Sequence, residues 1–567
     1  MQHCLILFAF FSLFSFEFPV STHAQTQDLT NYHSPLGISP VLASNFGELR
    51  PNHFHMGIDF KTNGKIGYKL YSIEKGFVSR IKVSPYGYGK VIYIDHPNGV
   101  TSVYAHCSEF KGQIDSIVRV TQIREENYAV EIFPKKNEIR VARGQVIGIS
   151  GNTGGSTAPH LHFEIRDTKT EHALNPLVYG FDLADTKKPE IRGVKVYSLT
   201  QDGYRVPSKN KRYTVSKGGS GYYVSNNTIT IPANYASHPG GIGFAFDVID
   251  RMDGANNQCG LYGSYLIIDG DTIFGQETNR VPFESSRYVN CHKDYEEYAQ
   301  NKRKFHKCYR TRENDLPIYH TNDLGIFPAE SGKTYKVKYI AYDVKNNRSE
   351  LSFTLKVESA EPSSSLGPFV GLDYLRPDQS MAVSSGNTEV EFGVGTVYEP
   401  IKIDQAKIGR TIGERDAPVH KAYRIMIDAP GKKDGKDYIE IVTAKGKRRT
   451  LDVEYEGDLI ICESKYFGSY SLKRDTIAPS VSSVNFTKSS TLYTRNLMQW
   501  RISDVGTGLA DYDLFIDGQW KLVEYEYKTG LITYTREANM TGEKDILVRV
   551  VDDCGNVKEW KTRLTFK

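Results

Sequence analysis

Five polar residues in the first third of the chain have types and spacings that could do chemistry. His55 and Asp59 stand four residues apart in the stretch HFHMGIDF. His160 and His162 stand two apart in STAPHLHFEI, and His106 ends the stretch VTSVYAH. Imidazole nitrogens and carboxylate oxygens are ligands that zinc accepts, and histidine also exchanges protons near neutral pH. The set therefore predicts metal-assisted hydrolysis.

A metal centre of this kind needs only part of the set as ligands. A catalytic zinc uses three protein ligands and leaves a fourth position for water. Two neutral histidines and one carboxylate leave residual positive charge, which acidifies that water and polarises a scissile carbonyl. The two remaining histidines would exchange protons or stabilise the developing oxyanion. The sequence has no HExxH, so the general base is not a glutamate carried on a helix.

Strands are the elements expected to position these residues. Side chains two or four apart share one face of a strand, so one strand would present His160 with His162 and another would present His55 with Asp59. Gly57 and the β-branched Ile58 favour a strand in the second case. A Pro-Asn-Gly turn between KVIYIDH and VTSVYAH predicts a hairpin that ends at His106.

Taken in order, these motifs resemble the LytM or lysostaphin-type zinc endopeptidases of peptidase family M23, which cut the peptide stems and bridges of peptidoglycan. The resemblance covers roughly residues 37–180, about a quarter of the chain. The motifs that carry it are HMGID at 55–59, YAH at 104–106 and STAPHLHFEI at 156–165, with support from GYGKVIYIDHPNGV and RGQVIGISGNTG.

This resemblance assigns a role to each residue of the set. It implies that His55, Asp59 and His162 bind Zn²⁺, the expected cofactor. It implies that His106 and His160 are the catalytic histidines, which activate the water and stabilise the tetrahedral intermediate. Every motif position is present in this sequence, which favours a working enzyme.

Nearby polar residues are expected to play lesser parts. Glu164 shares a face with His162; it would either hydrogen-bond behind that histidine or stand in solvent, and we expect the solvated position. Cys107 beside His106 suggests a cysteine nucleophile, an alternative that ranks behind the metal. His53 and His96 are expected to be structural or surface residues. The remaining histidines considered lack ligand spacing and are expected to be incidental: His172, His238, His292, His306, His320 and His420.

The first domain is predicted to be antiparallel β over residues 37–183. Compared with the family, it carries an insertion at about 113–138, which is placed to line or cover the cleft. Alternation in YAVEIF and EIRVA predicts further strands there, and no run shows a sustained helical period.

Residues 1–24 are predicted to be a signal peptide, because an apolar run from Leu5 to Phe16 precedes Thr22 and Ala24, at the positions that signal peptidase recognises. The run is shorter than the about 20 residues of a membrane span, so no transmembrane segment is expected after cleavage. We expect export to the periplasm or cell envelope. The formal net charge of +4 is too small to predict nucleic-acid binding.

The remainder of the chain repeats its own pattern of short strands and Asp-containing turns, which predicts three β-sandwich modules of immunoglobulin-like type. Their expected bounds are 185–360, 361–474 and 475–567, with boundary signals at KKPEI, EPSSSLGP and DTIAPS. The charged, Tyr-rich segment 279–330 is predicted to be an insertion in the first module. The fold class is therefore all-β.

Two smaller features of these modules stay open. Asp343, Asn347, Asp552 and Asn556 occupy matching turns; calcium binding would account for them, and turn chemistry accounts for them more simply. The scattered cysteines include no CxxC, which disfavours a cysteine zinc site, and a disulfide between Cys291 and Cys308 is neither required nor excluded.

We therefore predict an exported zinc metalloendopeptidase that hydrolyses peptide bonds of peptidoglycan stems or cross-links through a zinc-activated water. The C-terminal modules would hold it at the wall, bind an envelope protein, or fold back to restrict access. Two alternatives stay open. One is a non-catalytic scaffold that binds or regulates other cell-wall hydrolases, and the other is an envelope adhesion or assembly protein.

Overall fold

The computed structural model describes residues 32–567 except for 182, 220, 237–239, 322, 360–368, 370–372, 414–416, 432–433 and 488–492. The predicted signal peptide, the predicted boundary at 361–368 and His238 lie outside the described residues. Nearly all paired strands in the described part are antiparallel, which confirms the all-β fold class. No helix within it is long and apolar enough to cross a membrane.

The N-terminal sheet carries the candidate site. Its strands from this part of the chain are β1 (Leu42–Ser44), β2 (Ile58–Lys61), β3 (Lys69–Tyr71), β4 (Gly76–Val83), β5 (Lys90–Asp95), β6 (Val100–Phe110), β7 (Val130–Ile132), β8 (Arg140–Val141), β9 (Val146–Ser150), β10 (His160–Asp167) and β11 (Ala173–Leu174). They run in the order β1-β2-β10-β6-β5-β4-β7, with β9 paired to β6 and β3, β8 to β4, and β11 to β10. Strand Arg280–Val281 joins this sheet from far along the chain by pairing with β11.

The predicted hairpin is present as β5 and β6, and β10 inserts between β6 and β2. On β10, His162 lies opposite Asp59 of β2 and opposite Ala105 of β6, next to His106. Three strands that are distant in sequence therefore bring the site residues together.

The insertion contains a helix, so the prediction of strands alone was wrong there. Gln113–Glu125 form helix α1, which buries Ile114 and Val118 but exposes Val120 and Ile123. Apolar side chains on both faces hide the helical period, which explains the wrong prediction. The strands expected after the helix are present as β7 and β8. Since β7 is the last strand of the order, the insertion extends the sheet edge away from β10.

Residues 190–357 form two packed sheets. The first contains Glu190–Leu199, Arg205–Thr214, Gly241–Ile249 and Phe305–Lys307. The second contains Ser216–Gly218, Gly221–Tyr223, Thr228–Ile231, Gly263–Ile268, Asp271–Glu277, Tyr319–His320, Thr334–Tyr342 and Arg348–Val357. Buried residues from both sheets form one core, including Val194, Phe246 and Tyr339. Short helices lie at Ala233–Ala236, Val289–His292 and Tyr295–Asn301, with 3₁₀ turns at Ser225–Asn227 and Ser286–Tyr288.

The remaining strands also gather into sheets that follow one another along the chain. Between 374 and 474 these strands are Tyr374–Leu375, Met381–Ser385, Thr388–Phe392, Ile401–Lys402, Thr411–Ile412, Tyr423–Asp428, Asp437–Val442, Arg448–Leu451, Glu454–Glu456, Leu459–Ser464 and Gly468–Arg474, with a 3₁₀ turn at Gln405–Lys407. Between 480 and 566 they are Ser480–Ser483, Leu497–Ser503, Leu509–Ile516, Gln519–Lys521, Glu524–Glu526, Leu531–Thr535, Gly542–Asp552 and Val557–Phe566. The proposed module boundaries and the immunoglobulin-like type stay predictions.

The disulfide that the sequence left open is not formed. Cys291 and Cys308 are both buried free thiols. Burial raises the pKa of Cys291 to about 12, which keeps it protonated at neutral pH.

Phe163 on β10 anchors the core beneath the site. It is fully buried, and its ring centroid lies 5.3 Å from those of Tyr104 and Phe181 and 6.1 Å from that of Phe60. Phe163→Ala is expected to lower the free energy of unfolding by about 3–5 kcal/mol, because it leaves a cavity among rigid rings. Phe133→Ala, at a position 67% exposed, should change it by at most about 0.5 kcal/mol. Chemical denaturation followed by circular dichroism measures both, and equal losses would contradict this account of the core.

Candidate metal centre

His55, Asp59 and His162 meet at one point beside the sheet. The distance from His55 Nε2 is 3.1 Å to Asp59 Oδ1 and 3.1 Å to His162 Nδ1, and the third side, His162 Nδ1 to Asp59 Oδ1, is 2.9 Å. All three residues are buried. Ligand atoms of a tetrahedral zinc stand about 3.3 Å apart when its bonds are about 2.0–2.1 Å, so the triangle needs little adjustment to fit.

The hydrogen bonds on the far side of each ring decide which nitrogen faces this point. His55 Nδ1 lies 2.8 Å from the Asn45 carbonyl oxygen, and His162 Nε2 lies 2.8 Å from Glu164 Oε1. Because these oxygens only accept, the ring nitrogens beside them carry the hydrogens. In the neutral rings, His55 Nε2 and His162 Nδ1 therefore present lone pairs toward Asp59. Three electron-pair donors face one another, which is the arrangement that a cation stabilises.

The charges of the cluster also favour a bound cation. Burial alone would lower the pKa of His162, but hydrogen bonds to Asp59 and Glu164 outweigh it and raise the pKa to about 9. Without a metal, the His162 ring is therefore charged at neutral pH and its Nδ1 proton faces Asp59. A cation bound here would take the place of that proton and leave the ring neutral. Burial works against the charge of Asp59, yet the neighbouring histidines hold its pKa well below the usual range. The carboxylate therefore stays charged and favours a cation beside it.

Glu164 is a buried partner of the metal cluster, so its expected solvated position was wrong. Its side chain has no exposed surface and accepts hydrogen bonds from Arg166 Nε at 2.7 Å, from His162 and from the Tyr88 hydroxyl. Burial would raise the pKa of Glu164, but Arg166 and His162 lower it to about 2. A permanently charged Glu164 fixes the ring orientation of His162, which is the other alternative that the sequence left open.

His55 does not lie on the strand that the sequence predicted. Strand β2 begins at Ile58, and His55 lies in the loop before it. Gly57 brings this loop against β10: a Cβ there would lie 2.4 Å from the Phe163 carbonyl oxygen and 2.9 Å from Glu164 Cγ. The glycine is therefore required for close approach, and the loop swings His55 over Asp59.

His106 and His160 lie beside this cluster with ring centroids 4.9 Å apart. His106 Nδ1 donates to the Thr153 carbonyl at 2.9 Å, and His160 Nδ1 donates to the Ala158 carbonyl at 2.8 Å, so each neutral ring keeps Nε2 as a proton acceptor. His160 Nε2 lies 3.5 Å from Asp59 Oδ1. Burial and the charges of the neighbouring histidines lower the pKa of His106 to about 3, which keeps its ring neutral.

A β-bulge aims His106 at the cluster. The register between β5 and β6 slips between Lys90 and Ile92, so one extra residue of β6 is accommodated there. His106 has a φ of 60°, in the left-handed region that residues other than glycine rarely adopt. Bulges and strained backbone of this kind gather at functional sites, where they redirect a side chain.

The other residues that the sequence raised lie outside the cluster. His53 is exposed, and His96 is buried, with Nδ1 donating to the Lys75 carbonyl at 2.9 Å. Cys107 is fully buried, and burial raises its pKa to about 12, which makes it a poor nucleophile.

Sequence reasoning missed the residues that hold the loop of His55, because they stand more than 200 positions later. Lys293 Nζ donates to the carbonyls of Arg50 at 2.6 Å and Pro51 at 2.8 Å. Lys304 Nζ pairs with Glu48 Oε1 at 2.9 Å. Two further contacts are Phe54 N to Ser286 Oγ at 3.0 Å and Asn45 Nδ2 to the Gly260 carbonyl at 2.9 Å. Much of this support comes from the segment predicted as an insertion at 279–330.

The C-terminal sheets also contact the site. Lys528 Nζ donates to the carbonyls of Asn152 at 2.5 Å and Ser156 at 3.1 Å, in the loop whose carbonyls anchor His106 and His160. Nearby, Lys90 pairs with Glu524 at 3.0 Å. The end of the chain therefore folds back onto the site, and no signal in the sequence shows that Lys528 does so.

An antiparallel sheet here carries a His-Asp-His cluster and two further histidines, which are the residue types that a metallopeptidase uses. The model of Peptidase family M23 matches residues 53–123 and 129–176. This part of the chain is therefore an M23 peptidase domain, which confirms the resemblance seen in the sequence.

Known proteins are similar to part of the chain. The peptidoglycan DD-endopeptidase ShyA of Vibrio cholerae is 34% identical over 111 residues, which are 20% of this chain and 20% of the relative. The glycyl-glycine endopeptidase ALE-1 of Staphylococcus capitis is 27% identical over 238 residues, which are 40% of this chain and 55% of the relative. The chain thus spans about a fifth to about half the length of these relatives.

Solved structures include the catalytic domain of lysostaphin from Staphylococcus simulans, which is 26% identical. The match covers 27% of this chain and 96% of that domain, with a TM-score of 0.19.

The Glu164 carboxylate should control metal affinity. Glu164→Gln is expected to weaken zinc binding by about 10–100-fold, because the neutral amide no longer fixes the His162 ring as a charged acceptor does. Competition with a coloured zinc chelator measures the affinity. His53→Gln, at an exposed position, is the control and should leave the affinity unchanged. Equal affinities in the two variants would rule out this role of Glu164.

Lys528 should order the loop that anchors the two further histidines. Lys528→Met removes an ammonium from two backbone carbonyls, so amides of residues 151–158 are expected to exchange with deuterium several-fold faster. Hydrogen-exchange mass spectrometry measures this, with Lys561→Met at an exposed position as the control. Unchanged exchange in Lys528→Met would show that the contact does not restrain the loop.

Proposed function

We propose that the N-terminal domain is a zinc metalloendopeptidase that hydrolyses peptide bonds of peptidoglycan stems or cross-links. One observation carries the proposal. Four imidazoles surround Asp59, and each is anchored by one ring nitrogen so that its other nitrogen is left to a ligand or a proton. Relatives named for peptidoglycan and for glycyl-glycine cleavage support the choice of substrate.

His55 Nε2, Asp59 Oδ1 and His162 Nδ1 would hold the metal, since these are the three atoms that converge. Two nitrogens and one carboxylate oxygen are a donor set that zinc accepts in hydrolases. When bound, zinc supplies a Lewis acid that polarises the scissile carbonyl and makes a water more acidic. Glu164 and the Asn45 carbonyl keep the two ligand rings from turning away.

His106 and His160 would move the protons. A neutral ring with Nδ1 bound to a carbonyl accepts a proton at Nε2, so one of them takes the proton of the attacking water. Once charged, the same N–H stabilises negative charge on the carbonyl oxygen or passes its proton to the leaving amine. His160 has 19% of its side chain exposed, so an incoming peptide can reach it.

We place the protein outside the cytoplasm on the basis of residues 1–24, whose composition is typical of a signal peptide. Binding of an envelope protein through the C-terminal sheets is part of the same proposal. The contact of Lys528 with the site loop supports the third role considered for these sheets, which is to fold back and restrict access to the site.

The two catalytic histidines should be separable from metal binding. His106→Ala and His160→Ala are each expected to lower the rate of peptide release from purified peptidoglycan by about 10²–10⁴-fold while keeping bound zinc, because they remove proton transfer and not a ligand. Mass spectrometry of the released fragments gives the rate and the bond cleaved, and metal analysis gives the zinc content. His53→Ala is the matched control.

Fragment release that is equal in the wild type and both variants would contradict the mechanism. No release by the wild type with zinc bound would favour the non-catalytic scaffold. Activity that survives complete removal of zinc would contradict the proposed cofactor.

A further inference from the structure

A second group of acidic side chains lies where the peptidase domain passes into the following sheets. Asp185 stands in the connecting segment, Asp250 follows strand Gly241–Ile249, and Asp343 follows strand Thr334–Tyr342. One carboxylate oxygen of each lies within 4.8 Å of the others. Asp250 and Asp343 are only 2% and 4% exposed, so three carboxylates share a largely buried position.

Backbone amides donate to two of these carboxylates, from Lys187 to Asp185 Oδ1 at 3.1 Å and from Asn347 to Asp343 Oδ1 at 2.8 Å, but within the described part of the chain one oxygen of the third is left unpaired. Asp250 Oδ1 is buried and has no hydrogen-bond partner among the described residues. The nearby Lys187 directs its ammonium to the carbonyls of Met252 at 3.1 Å and Ala255 at 3.2 Å. A buried carboxylate has a large desolvation cost unless a cation or hydrogen bonds offset it. Negative charge is therefore unfavourable here unless a cation accompanies it.

The three aspartates line a small cavity of about 20 Å³. One water-sized sphere needs about 10–15 Å³, so this volume accommodates a single ion or water. Oxygen-only donors suit a hard cation. Oxygens up to 4.8 Å apart can share an ion whose bonds are about 2.3–2.6 Å, as for calcium, better than one that requires bonds of about 2.0–2.1 Å, as for magnesium.

We propose that Asp185, Asp250 and Asp343 form a calcium site that fixes the connection between the peptidase domain and the sheets that follow it. Asn347 prepares this site: its backbone N donates to Asp343 Oδ1 at 2.8 Å and its Nδ2 donates to Asp343 Oδ2 at 2.7 Å. The same Nδ2 also donates to the Asp185 carbonyl at 3.1 Å. These bonds are the turn chemistry expected from the sequence, and each Asp343 oxygen keeps a lone pair for a cation.

The C-terminal sheets repeat the arrangement with Asp475, Asp504 and Asp552. Asn556 takes the place of Asn347: it donates to both Asp552 oxygens at 2.7 and 2.8 Å and to the Asp475 carbonyl at 3.1 Å. The repeat therefore provides an internal comparison within one chain.

The second group differs in how its charge is balanced. The loop after Asp504 turns inward, and the amides of Gly506 and Gly508 donate to Asp504 Oδ2 at 2.8 and 2.9 Å. The amide of Thr507 donates to Asp475 Oδ2 at 2.9 Å. Among the described residues, no carboxylate oxygen of this second group is buried without a hydrogen-bond partner, whereas Asp250 Oδ1 of the first group is. The calcium is therefore assigned to the first group alone.

Isothermal titration of calcium chloride into the full, zinc-loaded chain tests the proposal. We expect one calcium per chain, with a Kd on the order of 10⁻⁴–10⁻³ M, as for calcium-binding extracellular modules. Asp250→Asn should weaken binding at least tenfold, because it removes a charge and a ligand at nearly constant shape. Asp504→Asn is the matched control and should keep one equivalent at unchanged affinity.

Thermal melting separates loss of the site from loss of the fold. Without calcium, Asp250→Asn should melt at or above the wild-type temperature, because the amide relieves repulsion among buried carboxylates. Calcium should raise the Tm of the wild type and of Asp504→Asn only. If Asp250→Asn fails to fold, Asp185→Asn in the half-buried connecting segment must show the same loss of binding. No binding by the wild type at millimolar calcium, or unchanged binding by the Asp250 or Asp185 variant, overturns the proposal.

Discussion

The convergence of three electron-pair donors at one buried point is the constraint on which the rest of the site depends. His55 Nε2, Asp59 Oδ1 and His162 Nδ1 lie 2.9–3.1 Å apart, closer than such atoms would stay without a proton or a cation between them. Hydrogen bonds on the outer side of both rings hold this geometry, and the bond to the charged Glu164 is the stronger kind. The buried partners of Glu164 therefore belong to the metal centre as much as the ligands do.

Contacts from the whole chain, and not from the peptidase domain alone, hold these three atoms in place. Lys293 and Lys304 hold the loop that carries His55, and Lys528 holds the loop that anchors the further histidines. Connecting segments of this kind are free to move unless other elements tie them down. The downstream sheets therefore help to hold the candidate site in place. The calcium site proposed at Asp185 would fix the segment that joins the peptidase domain to these sheets.

The sequence was sufficient to single out the residues that converge and to predict the central strands, but not to predict the supporting contacts. Residue type and spacing identified the His and Asp set, because alternation on β10 fixes which side chains share a face. Spacing could not show that Gly57 brings a loop, and not a strand, against β10. It also could not show that Arg166 neutralises a buried Glu164. Contacts such as that of Lys293 with Arg50 join positions more than 200 residues apart, and only the tertiary fold brings them together.

A crystal structure of the zinc-loaded protein, with anomalous diffraction recorded at the zinc edge, tests the central claim most directly. The account predicts one zinc in the N-terminal domain, bonded to His55 Nε2, Asp59 Oδ1 and His162 Nδ1 at about 2.0–2.2 Å. His106 and His160 should stand beside it without bonding to it. Zinc bound through either of these two histidines, or no zinc at the three convergent atoms, would contradict the account.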